Sequence, residues 1–431
     1  MKRDFNIAFI DFLSSPYNGD TINNEGMGGS EAALLCMAEE LAKLGCNITV
    51  YNSCTPGKFN GVEYLHINKI EEEERKFDIL IVSKSILPYI PQDYREQVMT
   101  MVSFDIKPYQ KIVANSTHKI IWLHNEVMKF ENLLEPLLLD GKINELFLLS
   151  DWHTNFFTQS SGKKFEQLKR FVFQTRNGIR TYPQTIGIKD KDPNLFIFNS
   201  ALHKGLVPLL QDIWPSIYNA APEAKLEVIG GYYLNNKTLI QLETNYKILK
   251  NNYDGKMNIH FTGIIPQKQV ADILSRATFM IYPPSTMPET YCISILEAMN
   301  YNVIPITSRF GALEETAIEE VSYLNDYNVY ADKTQIERFF RLAMFAYQDK
   351  EGIKIKQLAC EPIKKWLTWD TVAIEWLAHF NYVFGEETDE DFYWKSREIT
   401  RNIHRIFKRR NINPEYFNIN RSIEKWKMDM D

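Results

Sequence analysis

At 431 residues the chain is long enough for two or three domains, and its 45% apolar and 24% charged content is that of a globular protein, not a disordered one. A net charge of −6 argues against bulk nucleic-acid binding, and five cysteines with no CxxC pair and no zinc spacing point to a reducing compartment with free thiols. No apolar run reaches the roughly eighteen residues that span a bilayer and no secretory h-region precedes the first strand, so a cytoplasmic protein is expected, with peripheral membrane contact left open.

Residues 5–12 (FNIAFIDF) form an apolar run typical of a buried parallel strand. A polar loop over 14–27 leads to GMGGSEAALLCMAEELAKLG, in which Ala33, Met37, Leu41 and Leu44 recur at helical spacing and Gly45 ends the helix. Residues 48–51 are the next strand. Gly28 and Gly29 at that helix start let a backbone approach a phosphate closely, although the pair serves a tight turn equally well. The run EEEE at 71–74 reads as a solvated face. DILIVS (78–83) and KIIWL (119–123) are further strands. The second ends at His124, at the carboxyl edge where α/β folds hold ligands; a hydrogen-bonded structural histidine is the other reading. Residues 145–150 and 151–158 predict a strand and a capped helix.

Residues 182–194, rich in Pro, Gly, Lys and Asp, read as an interdomain linker, after which the pattern restarts. Strands are predicted at 195–199, 224–230 and 258–262, and a helix at 206–218. Between the first strand and the helix lies NSALHKGL, with Ser200 and Lys204. A lysine at a helix start opposes the dipole, so it is either a surface residue or the holder of an anion such as a diphosphate.

The centre of the chain is ATFMIYPPSTMPETYCISILEAMNYNVIPITSRFGALEET, residues 277–316: strand, loop, helix, strand. Glu289 lies before the helix and Glu297 within it, about 10–12 Å further along. The first turn, around Thr290, Tyr291, Cys292 and Ile293, offers unpaired N–H groups and the positive end of the dipole. A ligand with hydroxyls at both ends and a diphosphate in the middle fits this layout: Glu289 to sugar hydroxyls, the helix end to the diphosphate, Glu297 to ribose hydroxyls. A dipole-favoured Glu289 and a solvated Glu297 are the bland reading of the same spacing. Glu314 and Glu315 read as capping or flanking the next helix.

This stretch resembles the glutamate, seven residues, glutamate motif of retaining glycosyltransferases of family 4, including the proline before Glu289, Glu-Ala-Met at Glu297, and the terminal Gly-Ala-Leu-Glu-Glu-Thr. MGGSE resembles that family's glycine-rich loop, which faces donor phosphates and acceptor. KIIWLHN resembles the strand whose histidine approaches the donor sugar, and RNGI (176–179) the turn closing the first domain. KKWLTWDTVAIEWLAHF resembles its closing helix, and 263–266 the loop beside the base. An arginine usual about five residues before Lys204 is absent; Asn199 and Ser200 stand there.

The resemblance implies an α/β GT-B fold: two Rossmann-like domains with parallel sheets facing a central cleft, and C-terminal helices crossing back to the first. The expected divisions are 1–182, the acceptor side; 193–380, the nucleotide-sugar domain; and 381–431, a helical extension. Within the last, residues 391–410 carry seven basic residues and read as a packed or membrane-surface helix. The implied activity is sugar transfer from a UDP- or GDP-sugar to a glycan, lipid or protein hydroxyl, with neither cofactor nor metal. His124, Glu289 and Lys204 are the expected catalytic residues. Gly28, Gly29, Ser200, Lys204, Glu289, Thr290, Tyr291, Cys292, Ile293 and Glu297 are expected to bind substrate. The rival readings are a sugar-nucleotide-binding protein with little or no turnover, and a glycoside hydrolase, whose paired carboxyls would stand about 5–10 Å apart.

Overall fold

Strands covered on both faces need unbroken apolar runs, and the chain supplies them twice. In the computed structural model, β1 (Asn6–Ile10), β2 (Asn47–Asn52), β3 (Gly57–Phe59), β4 (Val62–His66), β5 (Phe77–Ser83), β6 (Ser116–Trp122), β7 (Glu145–Leu148) and β8 (Val172–Gln174) form one sheet in the order 3-4-2-1-5-6-7-8. Every pairing in it is parallel except β3 with β4. β9 (Asp192–Asn199), β10 (Lys225–Ile229), β11 (Ile259–Gly263), β12 (Ala277–Tyr282), β13 (Ile304–Ser308) and β14 (Tyr323–Asn325) form a second, all-parallel sheet in the order 11-10-9-12-13-14. Both sheets run outward from their first strand and then reverse, so each has a switch point: β1 beside β5, and β9 beside β12. The structure describes residues 4–125, 131–159, 165–184, 186–231, 239–284, 287–326, 333–364 and 366–385. The chain divides into two units, Met1–Leu377, which holds both sheets, and Ala378–Asp431. The expected extension at 391–410 lies outside the described residues.

Helix Trp369–Val383 returns to the first sheet. Trp376 is fully buried edge-on against Trp122 of β6 and Phe147 of β7, with ring centroids 4.7 and 4.8 Å away. Its indole N–H donates to Thr175 Oγ1 at 2.6 Å. Gly178 lies so close to this helix that a Cβ there would stand 2.7 Å from the Trp369 nitrogen.

Three readings of the sequence are corrected. The acidic run is not wholly solvated: Glu73 is buried, bonded to Tyr51 and Arg75. The linker ends earlier, because Asp192–Asn194 already belong to β9. The helix over 206–218 is three pieces, Leu206–Pro208, a π turn Leu209–Ile213, and Trp214–Ala220. Pro215 has no N–H for the carbonyl of Gln211 and its ring crowds it, which a widened turn relieves.

Lys191, at the mouth of β9, is buried, and its ammonium donates to the carbonyls of Leu274, Ser275 and Ala277 at 2.8–2.9 Å. The first two are orphan carbonyls at the end of helix Gln267–Arg276, and Ala277 follows it as the first residue of β12. Lys191→Met keeps the aliphatic stem and removes the donors. It is expected to cost about 2–3 kcal/mol in denaturant unfolding, and an unchanged midpoint would sink this account.

Candidate functional site

The segment between β12 and β13 is fixed from behind. Gly311, at φ +69°, lets its backbone bridge Glu289, whose carbonyl accepts from Ala312 N at 2.6 Å. A Cβ on Gly311 would stand 2.5 and 2.6 Å from Glu289 O and N. Glu289, 6% exposed, accepts on Oε1 from Lys204 Nζ at 2.8 Å and from the Tyr282 hydroxyl. Burial, then the Glu289 charge, raises the Tyr282 phenol well above its usual range, so it remains a donor. Lys204 comes from the turn after β9, where Gly205 at φ +110° passes so close to Pro283 O that no side chain fits. Lys204 and Glu289, expected to hold different parts of a ligand, are bonded to each other here, and Tyr282 is a partner that sequence reasoning missed.

The following helix is Ile293–Asn300, with Cys292 as its N-cap and no side-chain capping bond. Thr290, Tyr291 and Cys292 lie before it, not in its first turn, and their side chains are buried. Only backbone in this stretch is left to meet a ligand. Burial also pushes the Cys292 thiol well up, so it stays protonated. Thr290 does something the spacing did not announce: its Oγ1 donates to His124 O at 2.6 Å, and its carbonyl accepts from Ser150 Oγ at 2.9 Å. It ties the second domain to the end of β6. Glu315 does the same at a second point, accepting from the amides of Asp151 (2.9 Å) and Trp152 (2.6 Å), the start of helix Asp151–Gln159. The carboxylate expected to serve its own helix caps one in the other domain instead.

One turn into its helix, Glu297 is partly buried. It accepts from Asn199 Nδ2 at 3.3 Å and from the Gln267 amide. Burial pushes its pKa up to about 7, against the pull of those two amides. On the facing domain, Gly28 is the N-cap of helix Gly29–Lys43, and a Cβ on Gly29 would be 3.6 Å from Ile293 Cδ1. Two helix N-termini thus meet across the cleft. The Glu31 carboxylate folds against Gly28, so the first-domain helix end already carries a negative group.

His124 is 8% exposed, its ring tilted on Trp122 at 4.4 Å. Burial and then Lys84 lower its pKa to about 3, so it is neutral, and its Nε2 has no hydrogen-bond partner. The next carbonyl, Asn125 O, is 3.1 Å from His153 Nε2, while His153 Nδ1 accepts from Leu149 N at 3.3 Å. That assigns His153 the Nε2–H tautomer. Ser200 directly follows β9 and hydrogen-bonds the Tyr282 side chain, beside the Lys204–Glu289 pair. Among the described residues no group of acidic, His and Cys side chains could hold a metal ion, and no helix is long and apolar enough to cross a membrane.

Residues 179–351, which span every strand of the second sheet, match the model of the family described as Glycosyl transferases group 1. No curated protein matches the chain. Among solved structures, HepE of Anabaena in complex with UDP and glucose is 13% identical, with a TM-score of 0.56, covering 87% of this chain and 98% of that one. Sucrose-phosphate synthase from Thermosynechococcus elongatus is 14% identical, with a TM-score of 0.62, covering 89% and 100%. WaaG, a glycosyltransferase involved in lipopolysaccharide biosynthesis, is 13% identical, with a TM-score of 0.55, covering 87% and 99%. Likeness at such identity establishes the fold: two Rossmann-like domains of GT-B type.

Proposed function

We propose that this GT-B chain, whose second domain carries the group 1 glycosyltransferase pattern, is a retaining glycosyltransferase. It moves a sugar from a UDP- or GDP-sugar to an acceptor hydroxyl without a metal. The observation that carries the reading is the Lys204–Glu289 pair at the second switch point, beside a helix end with no side-chain cap and with Glu297 one turn in. Glu289 takes hydroxyls of the transferred sugar. The amides at Ile293 and the ammonium of Lys204 stabilise the departing diphosphate, while Gly28 and Gly29, whose helix end Glu31 already occupies, pack opposite Ile293. Glu297 takes the ribose hydroxyls. Neutral His124 approaches the sugar as a hydrogen-bonding group, and the leaving phosphate oxygen accepts the acceptor proton from the same face.

Thermal unfolding against UDP, GDP, ADP and their sugar conjugates, each with Mg²⁺ or with chelator, tests this. A ligand at 100 times its Kd adds about 2.7 kcal/mol, a shift of roughly 5–10 °C for domains of this size. One nucleotide series is expected to shift the midpoint equally in both conditions, and Glu297→Ala to abolish the shift. No shift with any member overturns the reading.

Affinity for that nucleotide is expected to rise about three- to tenfold between pH 6 and 8, because ribose hydroxyls donate better to a carboxylate than to a carboxylic acid. Titration calorimetry of Glu297→Gln should be flat over the same range. The sign for stability is the reverse. A carboxyl that keeps its proton to about pH 7 when folded contributes stability below its ordinary pKa, and that contribution is lost as the pH climbs to about 7.

A further inference from the structure

At the carboxyl edge of the first sheet three adjacent parallel strands stop side by side. Asp11 follows β1, Lys84 follows β5, and His124 lies just past β6. The boundary between β1 and β5 is the first domain's switch point. Helix Gly29–Lys43 adds Ser30 and Glu31 from its first turn. Lys84 Nζ stands 3.5 Å from Asp11 Oδ1 and 3.3 Å from Glu31 Oε1, and donates to Ser14 and Ser30. Ser14 Oγ and Tyr17 OH both donate to Asp11 Oδ2, at 2.6 and 3.1 Å.

Asp11 is fully buried and the Lys84 side chain is 9% exposed, while that of Glu31 is 20% exposed. Glu31 is thus the accessible face of the cluster. Burial would raise its carboxyl, but Lys84 outweighs this and holds it below the ordinary value. Lys84 adopts φ +66°, a left-handed backbone that lysine rarely takes and that persists where a site demands it. Two buried polar atoms here have no hydrogen-bond partner: His124 Nε2, and Asp11 Oδ1, which has only its ion pair with Lys84. The His124 ring lies within the fields of both Lys84 and Glu31.

Among the described residues of this cluster, two carboxylates share one ammonium beside a neutral histidine, which leaves one negative charge in excess. We propose that Glu31 and Lys84, beside the His124 that faces the donor sugar, form the acceptor subsite, and that it selects an uncharged sugar or polyol hydroxyl over acceptors bearing phosphate or carboxylate. A neutral hydroxyl donates to Glu31. An anion meets Glu31 at the rim, and Lys84 behind it is already paired. This rests on the transferase reading above.

The test uses the full-length protein with the nucleotide-sugar that shifts its unfolding. The probes are methyl glucoside, galactoside, mannoside and N-acetylglucosaminide against glucose 6-phosphate, mannose 6-phosphate and glucuronate, read by saturation-transfer NMR and by product formation. Wild type is expected to prefer the neutral series by at least about tenfold. Glu31→Gln releases Lys84 from one carboxylate, so it should weaken the neutral series and strengthen the anionic one. Glu31→Asp, which keeps the charge, should retain the wild-type order and serves as the folding control. Three results overturn the proposal: anionic probes binding wild type as well as neutral ones, Glu31→Gln lowering both series alike, or a protein that binds nucleotide-sugar but none of the probes. Absence of nucleotide-sugar binding is the separate failure of the transferase reading itself.

Discussion

Glutamine in place of Glu289 is expected to lower kcat/KM by about 10²–10³-fold while the protein stays folded and still binds nucleotide. The amide is isosteric, and its oxygen can still accept from Tyr282, so the Gly311-backed turn keeps its shape. What disappears is the charge opposite Lys204 and one strong acceptor for a sugar hydroxyl. A single prearranged electrostatic contact of this kind is worth roughly 3–4 kcal/mol in a transition state. The measurement is initial rate against donor concentration, beside the nucleotide-induced unfolding shift. A rate within about threefold of wild type means that Glu289 is an internal ion-pair partner and nothing more.

The largest expected loss of stability is at Trp376. Alanine there empties a site walled by Trp122 and Phe147 and leaves the Thr175 hydroxyl without its indole partner. Large-to-small changes at fully buried aromatic sites cost about 3–5 kcal/mol, and the neighbouring ion pair of Arg176 with Glu375, at 2.8 Å, is held by the same helix. Denaturant unfolding followed by circular dichroism should show a clear drop in midpoint, with Trp376→Phe losing less. Equal midpoints for wild type and alanine would mean that this helix does not hold the first sheet together.

Most of the architecture was legible because parallel strands advertise themselves. FNIAFI, DILIVS, KIIWL and TFMIY are apolar without alternation, and Pro283 and Pro284 bound the last. The two halves of the candidate site were legible for a different reason: Glu289, Glu297 and Lys204 belong to local strand–turn–helix units whose spacing left a bland reading open and whose sequence resembles a known family's motif. Helix Gln267–Arg276 went unread although Val270, Ile273 and Leu274 mark one of its faces. The Asp11–Glu31–Lys84 cluster was not legible. Its members come from three separate elements, and nothing near Lys84 in the chain marks it as different from any lysine after a strand. Glu315 shows the limit from the other side. Its place after Gly-Ala-Leu suggested a local cap, and only the fold brings it to amides some 160 residues away.

That carboxylate also makes the solvent's own ions relevant. The amides of Asp151 and Trp152 form a positive helix end that takes any small oxyanion of the right size. Sulfate or phosphate in a buffer therefore competes with Glu315 for the same two donors and loosens one of the ties between the halves, whereas chloride at equal ionic strength only screens it. Measurements on this chain are therefore comparable only when the oxyanion, and not merely the salt, is held constant.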